Sequence, residues 1–146
     1  MKTQSVHLEA SSDAAPLALF QLLADGRTWP EWTDMDECVP QGLLPNEAEH
    51  VGTVRRSRRG RTVGWDEITD LVPARTFAYR HVKGLPVDRY EAVVQLIPQE
   101  NGSTVITWDV TFVPRFFGTG RLLQRGIAAF LESCLTGLLH HTADRH

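Results

Sequence analysis

Between residues 55 and 81 the sequence spaces a guanidinium, a carboxylate, a phenol and an imidazole so that strand alternation can gather them on one wall: Arg55, Glu67, Tyr79 and His81. Two turns decide whether they meet. A turn centred near Arg61 sets Arg55 opposite Glu67 and Ser57 opposite Trp65. A turn at Pro73-Ala74 sets Glu67 opposite Tyr79 and Trp65 opposite His81. In those registers Arg55, Trp65, Glu67, Tyr79 and His81 share a face, with Trp108 near them. Two kinds of chemistry are open to such a set. Arg55 and Glu67 can form a cross-strand ion pair that rigidifies the sheet, a pair in which neither charge tolerates loss of the other. Alternatively, Arg55 anchors a ligand carbonyl or hydroxyl, while Glu67, Tyr79 and His81 act as catalytic groups moving protons at burial-shifted pKa values. A one-residue slip in either turn dismantles the set, because every side chain then changes face.

A further hairpin extends the wall. Asn101-Gly102 between alternating runs is a strong turn signal. Read as a two-residue turn, it places Gln95 opposite Trp108, Val93 opposite Val110 and Glu91 opposite Phe112. The same face carries Ile97 and Ile106, so it is taken as inward, and Gln95, Trp108, Val110 and Phe112 become candidate ligand-lining residues. Tyr90, Val94 and Leu96 then fall outside. That conflict calls for a β-bulge or for an oligomer contact, such as a homodimer, to cover them.

These residues need a frame. Thr3 to Glu9 alternates and reads as a strand. Ser11, Ser12 and Asp13 offer cap oxygens to a helix with Pro16 in its first turn and Gly26 past its end. Trp29-Pro30-Glu31-Trp32 follows as a second short helix or turn, and Trp29 and Trp32 join the candidate ligand-binding residues. From Val39 the period changes to two. Strands are predicted at about Val39–Leu44, Val51–Arg59, Thr62–Leu71, Thr76–Val82, Arg89–Ile97 and Thr104–Val113, linked tightly enough to require antiparallel pairing. From Gly118 to Ala143 the period returns to 3.6. Leu123, Ile127, Phe130, Leu131, Cys134, Leu135, Leu138 and Leu139 form one broad apolar face, from which Phe130 and Cys134 are further ligand candidates. The chain therefore reads as one α+β domain over residues 1–146: strand, two short helices, six strands, long helix.

Bulk properties exclude several function classes. A net charge of −3 with a pI near 6.0 gives no general attraction to nucleic acid. The Arg55-Arg56-Ser57-Arg58-Arg59 run splits across two strand faces and reads as solvated edge. Two isolated cysteines, Cys38 and Cys134, and an N-terminus without an apolar h-region fit free thiols in the cytoplasm. The apolar runs fall short of the ~20 residues of a bilayer span, so no stable membrane insertion is expected. Gly-x-Ser-x-Gly and phosphate-cradling motifs are absent from the sequence. His140-His141 point to different helix faces, so neither a metal nor a cofactor is expected.

The element order, with Asp25-Gly26-Arg27-Thr28-Trp29-Pro30-Glu31-Trp32, resembles the START/Bet v 1-like superfamily, the polyketide cyclase/dehydrase and lipid transport group. Gly52-Thr53-Val54-Arg55, then Glu67 with Pro73 and Tyr79, then Gly102-Ser103-Thr104 leading to Trp108 add to the likeness, which runs over nearly the whole chain. The resemblance implies a helix-grip: a curved antiparallel sheet of about seven strands around the C-terminal helix, enclosing a cavity for a small hydrophobic or amphipathic, lipid- or polyketide-like ligand. Alternatives are a polyketide cyclase/aromatase-like enzyme and a protein-interaction module with a filled core. Two departures bear on the enzyme: Leu71 stands where cyclases of this group tend to carry Arg, and Met35 and Asp36 where a Tyr often follows Trp-Pro-Glu.

Overall fold

The computed structural model describes residues 2–143. Seven strands form one antiparallel sheet: β1 (Gln4–Ser12), β2 (Glu37–Pro40), β3 (Val54–Arg59), β4 (Thr62–Val72), β5 (Thr76–Lys83), β6 (Val87–Pro98) and β7 (Thr104–Pro114). Their spatial order is β1-β7-β6-β5-β4-β3-β2, so β1 closes the meander by pairing with β7. Two short helices, α1 (Pro16–Ala24) and α2 (Trp29–Trp32), follow β1, joined by a 3-10 turn at Gly26–Thr28. The long helix α3 (Gly120–Ala143) lies across the sheet. This is the helix-grip arrangement that the resemblance implied.

Local chemistry explains the breaks. Pro16 starts α1 where its missing N–H costs nothing. The expected cap among Ser11, Ser12 and Asp13 is not used. Ala15 is the N-cap, and the buried Ser12 hydroxyl instead accepts from the Ala14 N–H at 3.0 Å, shaping the chain into the helix.

On the inward face of β7, Thr104, Ile106, Trp108, Val110 and Phe112 are at most 1% exposed. The four apolar ones share one core cluster with Ile127, Leu131, Cys134, Leu135 and Leu138 of α3. By length (24 residues) and a mean hydropathy of 1.2, α3 would suffice to cross a bilayer, but its apolar face is occupied by this packing.

The β3–β4 and β6–β7 registers each differ by one residue from those expected, and the β4–β5 register by one or two, with identifiable causes. Gly102 N–H bonds the Gln99 carbonyl at 3.0 Å, making Glu100 and Asn101 the centre of the turn. Gly102 follows in the left-handed region at φ +87, the usual close of a three-residue hairpin loop. Trp108 therefore faces Val94, and Gln95 faces Thr107. Tyr90, Val94 and Leu96 point inward and are buried, which removes the reason for invoking a bulge or a homodimer contact. Gln95 is outside, accepting from the Thr76 hydroxyl at 2.9 Å.

In the β3–β4 hairpin the turn residues are Gly60, at φ +62, and Arg61, so Arg55 faces Asp66 and Arg56 faces Trp65. Glu67 and Trp65 are thereby turned to the outer surface, contrary to their expected place. Glu67 pairs there with Arg80, Nε to Oε1 at 2.7 Å, and Trp65 lies under Lys83 at 4.3 Å. The β4–β5 turn puts Ala74 at φ +62, and register shifts in β4 between Ile68 and Asp70 and between Trp65 and Asp66 complete the pattern. Tyr79 then faces Ile68 and His81 faces Asp66, both inward.

Two glycines inside α3 have opposite reasons to be there. A Cβ at Gly137 would overlap the Trp32 carbonyl oxygen, so α2 and α3 meet at backbone distance. A Cβ at Gly126 would meet nothing within 4 Å. Relative to glycine, alanine favours a helix by about 1 kcal/mol. Gly126→Ala should accordingly raise stability by up to about 1 kcal/mol. Gly137→Ala should lower it by roughly 1–3 kcal/mol or more, since a backbone clash outweighs the propensity gain. Urea unfolding of the two variants measures both signs.

Candidate functional site

The corrected registers lay out a cavity wall in rows. Deepest, Ile68 of β4 faces Tyr79 of β5. Next comes a polar row, Arg55–Asp66–His81, across β3, β4 and β5. Ser57 and Gly64 form the third row, and Arg59 with Thr62 the outermost, at the hairpin tip. Facing them, α3 contributes Leu122, Leu123, Gly126, Ile127 and Phe130. Between the two surfaces lies a cavity of about 300 Å³, with Trp29, Met35, Cys38, Arg58, Leu85 and Tyr90 completing its lining. Leu122, 75% exposed, marks its mouth beside the hairpin tip. A filled core, the premise of an interaction module, is not what this region has.

Arg55 is 5% exposed and is held from several sides. Its Nε donates to Glu49 Oε1 at 2.5 Å and its Nη2 to the Leu23 carbonyl at 2.8 Å. Its guanidinium lies 4.9 Å from the Phe77 ring centre and 5.3 Å from that of Trp29. Glu49, whose side chain is 0% exposed, also accepts from the Gly26 N–H. A Cβ at Gly26 would press on Arg55 Nε at 2.7 Å, which accounts for that glycine. The partner of Arg55 is thus Glu49 rather than Glu67.

His81 is a strut. Its Nε2 accepts the Leu85 N–H at 2.9 Å, which puts the ring proton on Nδ1, where it is donated to Asp66 Oδ1 at 2.8 Å. With both nitrogens engaged, His81 braces the β5–β6 turn against β4 and is not free to shuttle protons. Burial holds the Tyr79 and Tyr90 hydroxyls protonated, well above the ordinary tyrosine range. Burial also pushes the thiols up, Cys38 to about 11 and Cys134 to about 12, so neither is a nucleophile at neutral pH.

Of the other expected ligand residues, Trp29 and Phe130 line the cavity. The Trp29 Nε1 donates to the Leu23 carbonyl at 3.1 Å, and the Arg59 guanidinium covers the Phe130 ring at 4.4 Å. Trp32 packs against Trp29 at 4.6 Å and is core. Trp108, Val110, Phe112 and Cys134 are likewise core, closed off from the cavity. Sequence reasoning missed Asp66 and Tyr90, although period-two alternation from Gly64 and Ile68 would have caught Asp66. Glu49 sits in the loop before β3, where no periodicity could place it.

A curved seven-stranded sheet gripping a C-terminal helix over an internal cavity defines a START/Bet v 1-like, ligand-binding fold. The chain belongs to the polyketide cyclase / dehydrase and lipid transport family, which matches residues 3–142. Solved structures with the same fold include the ZhuI aromatase/cyclase from Streptomyces sp. R1128, with TM-score 0.83 and 18% identity over 99% of this chain and 96% of that one. A START superfamily protein from Mycobacterium smegmatis superposes with TM-score 0.82 at 12% identity, covering 97% of this chain and 99% of the other. Ara h 8.0201 gives TM-score 0.79 at 14% identity, covering 98% and 99%. No curated protein sequence matches the chain significantly.

The Arg55–Glu49 pair is open to a direct test. Arg55→Met and Glu49→Gln should each destabilise by roughly 3–5 kcal/mol, the range for stranding one charge of a buried pair. Arg55→Met combined with Glu49→Gln should cost clearly less than the sum of the single changes. Glu67→Gln, on the outer face, should stay within about 1 kcal/mol of the parent. Denaturant unfolding of the set reads all of these, and additive single effects would disprove the coupling.

Proposed function

We propose that the protein binds a small, largely apolar molecule between the sheet and α3. The observation that carries the reading is the cavity of about 300 Å³, at the lower end of the usual ligand-site range. Elsewhere the same sheet and helix close fully, with Trp108, Val110, Leu131 and Leu138 at 0% exposure, so the void is local. Its apolar walls supply affinity and its one polar row orientation. Expected partners are small hydrophobic ligands, in keeping with the family to which the chain belongs.

A second reading, polyketide cyclase-like chemistry, has one specific observation in its favour. The wall presents a carboxylate, Asp66, beside two protonated phenols, Tyr79 and Tyr90. A cavity that folds a flexible poly-β-ketone against such groups would supply both orientation and a proton acceptor. The acceptor would be Asp66, since Glu67 faces away and His81 is fully engaged. The ZhuI neighbour is an aromatase/cyclase, but at 18% identity that likeness extends to the fold alone.

Native mass spectrometry of freshly purified protein should reveal a co-purifying apolar molecule. Titration with apolar dyes should quench the fluorescence of Trp29. Gly126→Leu, filling the void from the helix side, should weaken dye binding at least about tenfold while leaving the protein folded. Undiminished binding in that variant would overturn the cavity as the site. On the cyclase reading, Asp66→Asn should cut turnover of poly-β-ketone substrates by roughly 10²–10⁴ while binding persists. No turnover by the parent protein would leave the binder.

A further inference from the structure

Charge bookkeeping along the polar row narrows the ligand class, granted the ligand-binding reading above. The Arg55 charge is met by Glu49. His81 has both ring nitrogens engaged, Nε2 accepting the Leu85 N–H and Nδ1 donating to Asp66. Tyr79 and Tyr90 stay protonated, with burial the chief cause. The part of α3 that lines the cavity carries no charged side chain, and the β2 lining residue is the thiol Cys38. At the mouth, Arg58 is taken by Asp36 and Glu37, and Arg59 by Asp34. Asp66 is left over. Its Oδ1 holds His81, its Oδ2 has no hydrogen-bond partner among the described residues, and its side chain, 26% exposed, lines the void.

We propose that Asp66 Oδ2 is the polar anchor of the cavity, and that the ligand is a compact, mainly aromatic or apolar molecule with a hydrogen-bond donor, a hydroxyl or protonated amine, rather than a carboxylate. A donor placed there forms a charge-assisted hydrogen bond to an acceptor already fixed by its own partner. A ligand carboxylate would set a second negative charge beside Asp66, and like charges at that distance repel. Trp29, Tyr79, Tyr90 and Phe130 around the void favour an aromatic body.

Four matched probes test the assignment by calorimetry at neutral pH: naphthalene, naphthol, naphthylmethylamine and naphthoate. The amine and the alcohol should bind roughly ten- to a hundredfold more tightly than naphthoate, the ratio that one charge-assisted hydrogen bond supports. Asp66→Asn should erase most of that gap. Its amide oxygen can still accept from His81 Nδ1–H, so the strut is retained. Should the variant fail to fold, the order of affinities in the parent protein decides alone. Naphthoate binding as tightly as the amine and alcohol would overturn the donor preference and leave the cavity reading intact. A gap unchanged in Asp66→Asn would overturn Asp66 as the anchor. Failure of all four probes to bind would overturn the cavity reading as well.

Discussion

The structure turns on one buried cation. Arg55 leaves β3 on the inward face, but its guanidinium reaches past Asp66 to the end of α1 and the loop before β3. A charge at 5% exposure must be neutralised and hydrogen-bonded or it would be strongly destabilising. The surrounding chain meets that demand with the Glu49 carboxylate, the Leu23 carbonyl and the faces of Phe77 and Trp29. In doing so it fixes where α1 stops, why Gly26 follows, and how Trp29 is presented to the cavity. The short helices are too brief to be stable alone. They are held by their buried apolar side chains, Leu19 and Leu23 of α1 and Trp29 and Trp32 of α2, and by the contacts they make to Arg55.

The cavity is the consequence of small residues placed opposite one another. Gly64 and Ser57 on the sheet and Gly126 on α3 contribute almost no volume to the space they border. Across the rest of the grip, large side chains fill the equivalent space: Trp108 and Phe112 from β7, Leu131 and Leu138 from α3. One helix therefore serves as core along one part and cavity wall along another. Its two interior glycines divide the same way, Gly137 admitting the α2 backbone and Gly126 opening the void.

Periodicity made the fold legible. The change from 3.6 to 2 and back located the sheet strands and α3 to within a few residues, because burial of one face constrains every second or every third-to-fourth residue. The site was less legible, because it depends on turn centres. Asn101-Gly102 signalled a hairpin correctly, yet Gly102 closes the loop in place of sharing its centre, and a shift of one residue exchanged Gln95 for Val94. The same kind of slip at Gly60-Arg61 exchanged Glu67 for Asp66. Tyr79 and His81 kept their expected face only because irregularities in β4 offset the displaced turn. The apolar outer stripe of Tyr90, Val94 and Leu96 was the internal sign of the error, since a sheet does not leave its most hydrophobic face in water without a reason.

That slip also changes the chemistry ascribed to the wall. With Glu67 inside, Arg55 and its carboxylate would cancel within the cavity, leaving His81 as the free acid or base. With Asp66 inside, the cancellation takes place behind the wall, at Glu49, and the imidazole is locked between Asp66 and the Leu85 amide. Both ring nitrogens are spent on holding the β5–β6 turn against β4, so the imidazole serves the frame of the wall. The groups that line the cavity are then one acidic side chain, Asp66, and two phenols, Tyr79 and Tyr90. Whether that surface only orients its guest or also draws a proton from it rests on Asp66, whose second oxygen is the wall's one free carboxylate atom.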